Sequence, residues 1–174
     1  MKQWRDLSYL PEGDEKQRDV YAAIQDSMLL KLLAAFDPIL VGTYPIGIYL
    51  EESDIDIICQ FFRIDHYGSV VLNSFSHLPD FEIKTKMIRG VESMIARFRF
   101  DGFKFEIFGQ HTAVEEQYAY RHMVIEDMIL SGRGEGFRKE VLILKEKGLS
   151  TEEAFALLLG IDGDPYENLL KFGT

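Results

Sequence analysis

Apolar positions recur along this chain with two periods, and the switches between them mark its elements. Val20, Tyr21, Ile24, Met28, Leu32 and Ala35 repeat at helical spacing. A helix is therefore predicted from the capping pair Asp14 and Gln17 to about Phe36, where Asp37-Pro38 ends it. Residues 1–13, with Pro11 and Gly13, read as a leader whose Trp4, Leu7, Tyr9 and Leu10 pack against the rest. Strands are then predicted over Ile39–Thr43 and Ile55–Arg63, the second apolar almost throughout, as in a strand covered on both faces. His66–Leu78 is a predicted helix with Val70, Val71, Leu72 and Phe75 inward, weakened by Gly68 and three serines. Phe81–Ile88 alternates apolar and polar residues, the pattern of a half-buried strand.

Val91–Phe100 and Phe103–Gly109 flank Asp101-Gly102, a strong hairpin signal. In the second arm Phe103, Phe105 and Ile107 share one face, while Lys104, Glu106 and Phe108 share the other. From Thr112 the pattern turns helical. Thr112 and Glu115 read as a capping box for a helix to about Leu130, closed by Gly132. Gly136–Lys147 is a second helix ended by Gly148, Ser150 and Glu153 cap a third to Leu159, and Asp164-Pro165 opens a final turn. The chain is thus expected to be α+β: a mixed sheet of about five strands, an N-terminal helix and a C-terminal helical tail. Residues 1–111 would form the core, and residues 112–174 a helical extension packed on the same domain.

Composition narrows the function classes. At 174 residues the chain can bury a full core. It has no apolar run of membrane-spanning length, and Met1-Lys2-Gln3-Trp4-Arg5-Asp6 does not begin a signal peptide, so no membrane partner is expected. Cys59 is the only cysteine and sits in an apolar run, which excludes an internal disulfide, marks a core residue and makes a cytoplasmic location the default. A formal net charge of −10 argues against gripping a long nucleic acid, whose affinity comes from cationic contacts to phosphates. A small nucleotide that arrives with its own Mg²⁺ is compatible.

The chemistry concentrates in Val41–Gln60. On a strand, Asp54 and Asp56 point to one face and Ile55 and Ile57 to the other. Two acids aimed the same way repel unless a cation lies between them, and hard oxygen ligands with room for substrate phosphates suit Mg²⁺. Gly42 allows a tight turn with nothing in a ligand's way, and Thr43 adds a hydroxyl and an N–H. Singly, Asp54 reads as a strand cap and Glu106 as a lysine's surface partner; neither role explains why all the acids occur at this spacing.

This stretch resembles the nucleotidyltransferase superfamily, of polymerase-beta-like fold. The motif reads Val41-Gly42-Thr43, ten residues, then Asp54-Ile55-Asp56-Ile57, with Thr43 where Gly or Ser is usual. Phe105-Glu106-Ile107 fits the later strand's third carboxylate. The likeness covers about residues 38–110, and the whole chain also resembles an uncharacterised bacterial domain family grouped with these transferases. The resemblance implies that Asp54, Asp56 and Glu106 bind Mg²⁺ (or Mn²⁺) and carry catalysis, with two metals about 3.5–4 Å apart. It implies that Gly42 and Thr43 hold the phosphates of a nucleoside triphosphate, the donor substrate. A nucleoside monophosphate would pass to a hydroxyl of a small molecule or protein.

Two cations are further candidates for the phosphates. Lys84 shares a strand face with Lys86, and the plainer reading is a solvated sheet charge. Arg121 falls on the helical stripe of Tyr118 and Ile125, where a semi-buried guanidinium could clamp a phosphate or tie the helix to the sheet. Arg97 and Arg99 are not assigned a catalytic role. His66, His77, His111 and His122 lack zinc-site spacing, no nucleophile elbow occurs, and Gly132–Gly136 is a helix linker rather than a phosphate loop. The alternative function is a catalytically inactive member of the fold that binds a nucleotide or protein as a regulator, antitoxin-like, with a protein partner or a homodimer.

Overall fold

A computed structural model describes residues 4–172. Its five strands are β1 (Ile39–Val41), β2 (Ile55–Gln60), β3 (Glu82–Ile88), β4 (Val91–Phe100) and β5 (Phe103–Gln110). They form one sheet in the order β1-β2-β5-β4-β3. β2 and β5 run parallel and the other neighbours antiparallel, so the sheet is mixed, as its alternating patterns predict. The β4–β5 hairpin turns at Asp101-Gly102, both at positive φ (48° and 80°), the conformation that this dipeptide favours.

Side-chain alternation gives the sheet two apolar faces. On one, Ile55, Ile57, Ala96, Phe98, Phe105 and Ile107 pack under helices α1 (Glu15–Asp26) and α3 (Ile64–Phe75). Phe75, Phe98 and Phe105 stack there with centroids 5.0 and 5.2 Å apart. On the other face, Ile39, Val41 and Ile58 meet α4 (Tyr118–Glu146) and α5 (Thr151–Leu159) through Met123, Ile129, Leu130 and Phe155. Asp56 and Glu106 point to this second face. Gly109 lets Tyr67 of α3 press close against the sheet, because a Cβ there would come within 2.3 Å of the ring. Gly109→Ala is expected to overpack this contact and cost roughly 1–3 kcal/mol, read as a lower urea midpoint at unchanged slope.

Several boundaries differ from the sequence expectation. The first helix does not reach Phe36: α1 stops at Asp26, Met28 takes φ 54°, and α2 (Leu29–Leu32) follows. Ser27 supports the break, its Oγ donating to Ile24 O and accepting from the Leu29 N–H. The left-handed residue advances the helical phase by one. Leu29 and Leu33 are buried in place of Met28 and Leu32, which are about half exposed. β1 ends at Val41, because Gly42 leaves the strand at φ 78°, and β2 ends at Gln60. In α3 the inward residues are Tyr67, Gly68, Val71 and Phe75, whereas Leu72 is exposed. β3 is an edge strand and more exposed than its pattern predicts.

The tail also differs at its start. The Thr112–Glu115 capping box does not form: Val114–Glu116 is a 3₁₀ turn, and Glu115 pairs with Arg5. α4 starts at Tyr118 and continues past Gly132, with a kink at Gly134 (φ 78°, ψ −172°) joining the two helices predicted there. Beyond it, Ser150 and Glu153 cap α5 reciprocally, and α6 (Pro165–Asn168) begins with Pro165 in its first turn. The packing of Trp4, Leu7 and Leu10 and the burial of Cys59 follow the sequence reading. Among the described residues, no helix is long and apolar enough to cross a membrane.

Candidate active site

Strand register builds the site. Val41 pairs with Asp56, Asp56 with Glu106, and Glu106 with Arg97, so the two acids are neighbours in one row across the sheet. Asp54 lies just before β2. Gly42 turns the chain immediately beside the row: a Cβ there would sit 2.3 Å from Asp56 Oδ2, at a φ that disfavours any other residue. The loop after it is closed by Ile48 N–H to Thr43 O (3.1 Å) and Tyr44 Oη–H to Ser53 O (3.1 Å). The second half of α4 holds that loop from outside. Arg138 donates to Gly47 O (3.0 Å) and Lys145 to Ile48 O (2.7 Å).

The electrostatics are those of crowded acids. Burial, then the like charges of Glu106 and Asp54, push the Asp56 carboxyl well above the usual carboxylate range, against the fields of Lys145 and Arg97. Glu106 accepts from Arg97 Nε at 2.7 Å, an ion pair across neighbouring strands. That pairing is a partner the sequence reading did not assign to Arg97, although the hairpin register determines it.

A cavity of about 570 Å³ opens over this row. Gly42, Thr43, Asp56 and Glu106 line its sheet wall. His122 and Glu126 of α4, Glu152 of α5 and Tyr166 of α6 line the helical wall, and Arg89 enters from the β3–β4 turn. The sequence reading missed this second wall. Its signal was present: His122, Met123, Glu126, Ile129 and Leu130 recur at helical spacing and are the buried stripe of α4. The proposed stripe of Tyr118, Arg121 and Ile125 is corrected accordingly. Arg121 is exposed, its guanidinium 5.8 Å from the Tyr118 ring, because the apolar face carrying Met123 is the one that docks. Lys84 also lies off the cavity, on edge strand β3, bonded to Glu82 at 2.7 Å.

On the helical wall, the His122 Nε2–H donates to Tyr166 O at 2.8 Å, and Nδ1 lies 3.5 Å from Glu152 Oε1. Glu126 is fully enclosed, which raises its carboxyl to about 8, with Glu152 adding to the rise and Lys145 opposing it. Burial lowers the Lys145 ammonium to about 8.

No three His, Cys, Asp or Glu side chains among the described residues converge as a metal cluster. Asp56 and Glu106 nevertheless suit a hard divalent cation. Both are oxygen donors, their mutual repulsion is unrelieved at Asp56, and Mg²⁺ commonly takes one or two carboxylates plus substrate phosphates.

The fold is that of the nucleotidyltransferases. The chain aligns with Cid1 poly(U) polymerase in its MgGTP-bound structure at TM-score 0.55 and 15% identity, over 76% of this chain and 42% of the polymerase. It aligns with the polymerase core of TRAMP, an RNA surveillance complex, at TM-score 0.56 and 16% identity, over 95% and 58%. With the GLD-2/RNP-8 complex the values are 0.52 and 17%, over 82% and 56%. The chain therefore spans about two-fifths to three-fifths of these structures' length. By sequence it belongs to the family described as domain of unknown function DUF4269, whose model matches residues 22–172. No curated protein matches it in sequence.

Proposed function

We propose that this protein transfers a nucleoside monophosphate from a nucleoside triphosphate to a hydroxyl of a small molecule or protein, with Mg²⁺ as the metal. The observation that carries the reading is Asp56: half-buried, crowded by Glu106 and Asp54, and left room only by the missing Cβ of Gly42. In this reading Asp56, Glu106 and Asp54 hold the cation, and Gly42 and Thr43 admit the triphosphate beside it. The cation, when bound, offsets the acid charge and polarises the phosphates. Arg97 fixes the direction of the Glu106 carboxylate, which acts as a ligand or takes the acceptor's proton. The acceptor oxygen bonds to the α-phosphorus while the bond from that phosphorus to pyrophosphate breaks. The formal charge of −10 favours a small or protein acceptor over the RNA named for the structural relatives.

The test is transfer of label from each α-labelled nucleoside triphosphate into a small-molecule extract and into a protein lysate, each with Mg²⁺. Labelled product from wild type and none from Asp56→Asn supports the reading; none from either contradicts it. Gly42→Ala is expected to lower the same transfer about 100-fold, since its methyl must displace the Asp56 carboxylate by on the order of an ångström. Folding should remain cooperative in that variant.

One observation favours the second reading, an inactive regulator that binds a nucleotide or a partner protein. Arg97 already pairs with Glu106, one of the acids that the transfer reading gives to the cation. A regulator would bind nucleotide without turnover, and Arg97→Ala would leave that binding unchanged.

A further inference from the structure

The cavity is lined by more carboxyl groups than a metal-bound nucleotide needs. Asp56, Glu106, Glu116, Glu126 and Glu152 line it; Arg97 pairs with Glu106, and Arg89, the arginine on its lining, is bonded to Glu167. Asp56 and Glu106 face the sheet-side cation site. Glu126 and Glu152 lie on the opposite, helical wall, where that cation does not account for them.

Two side-chain oxygens of cavity-lining residues are buried without a hydrogen-bond partner: Glu126 Oε1 on this wall and Gln117 Oε1 at the start of α4. Gln117 cannot be turned around to relieve this, because its Nε2 donates to both Cys59 O and Thr112 O at 2.9 Å. Nor does Lys145 satisfy Glu126. Its ammonium donates to Ile48 O instead, and it stands to Glu126 only as a nearby charge. Leaving buried acceptors unpaired is costly, and a cavity lined by two of them is matched by a ligand with several N–H donors. An ammonium supplies three donors and the positive charge.

We infer that the helical wall of the cavity is the acceptor subsite, and that the acceptor is a small amine-bearing alcohol whose ammonium docks on Glu126 and Glu152, with the Gln117 carbonyl taking a further N–H or O–H of the same molecule. The inference rests on the reading of the sheet wall as a nucleotidyl-transfer site and gives its acceptor a chemical class. Its hydroxyl would then face Asp56 and Glu106 across the cavity.

The experiment is calorimetric titration with glucosamine and 1,3-diamino-2-propanol, against N-acetylglucosamine and glycerol as uncharged counterparts, on wild type, Asp56→Asn and the double variant Glu126→Gln/Glu152→Gln. Both Gln substitutions keep shape, and each protein's own melting curve confirms that it is folded. The amines are expected to bind at least about tenfold more tightly than the neutral compounds, and the double variant to lose about that factor. Asp56→Asn should keep the amine affinity and lose the Mg²⁺-dependent nucleotide shift, which separates this subsite from the transfer reading. Equal affinity for amines and neutral counterparts, amine affinity unchanged in the double variant, or no binding of either amine overturns the inference.

Discussion

Asp56→Asn will lower nucleotidyl transfer about 1,000-fold and, at the same time, raise the melting temperature of the ligand-free protein at neutral pH. The first effect follows from removing the carboxylate at the centre of the acid row, which costs several kcal/mol of charge stabilisation at about 1.4 kcal/mol per decade. The second follows from the same crowding. The folded chain holds the Asp56 proton more tightly than the unfolded chain, because burial and the charges of Glu106 and Asp54 disfavour its ionised form. Stability therefore falls as pH rises above the ordinary carboxylate value, and asparagine removes that fall. A buried scaffold acid would show the gain in stability without the loss of transfer. Denaturation curves at pH 4 and 7 alongside transfer assays test both halves.

Glu126→Gln will flatten the pH dependence of stability through the same physics on the helical wall. The carboxyl rises from an ordinary 4.5 to about 8, through burial first and the charge of Glu152 second. Below pH 4.5 both folded and unfolded chains carry the proton. Between pH 4.5 and 8 the unfolded chain releases it and the folded chain does not, so wild type loses stability over that window. By pH 7 the loss is about 3 kcal/mol, at about 1.4 kcal/mol per unit. Glutamine carries no such term. Urea unfolding of wild type and variant at pH 4.5 and 7 should show the variant's relative stability rising by about that amount; equal pH slopes would contradict the burial of an ionisable Glu126.

The sheet half of the site was legible in the sequence, and the helical half was not. Alternation on β5 put Glu106 opposite Phe105 and Ile107, and the Asp54-Ile55-Asp56 spacing put Asp56 on the corresponding face of β2. These are local, two-residue periodicities that survive any choice of tertiary packing. Gly42 was readable as a turn, but its closest constraint, the Asp56 carboxylate, is a contact across two strands. The helical wall depended on which face of α4 docks. The capping signal at Thr112 pointed to an earlier start, and a stripe drawn through Tyr118 and Arg121 missed His122 and Glu126 one residue along. Met28 shows the same weakness: its helical spacing was continuous in sequence, yet one left-handed residue passed the burial to Leu29 and Leu33. Lys84 shares a sheet face with Glu106, but sheet order put it on the far edge, which no local pattern reveals.

A thermal-shift series with ATP, GTP, CTP and UTP, with and without Mg²⁺, on wild type and Asp56→Asn tests the nucleotidyl-transfer site most directly. At about a hundred times its dissociation constant, a nucleotide that uses this site should add about 2.7 kcal/mol of stability over the same protein without ligand. That increment should require Mg²⁺ and vanish in Asp56→Asn. No shift with any of the four, or an equal shift without Mg²⁺ and in the variant, would contradict a metal-dependent nucleotide site at Asp56.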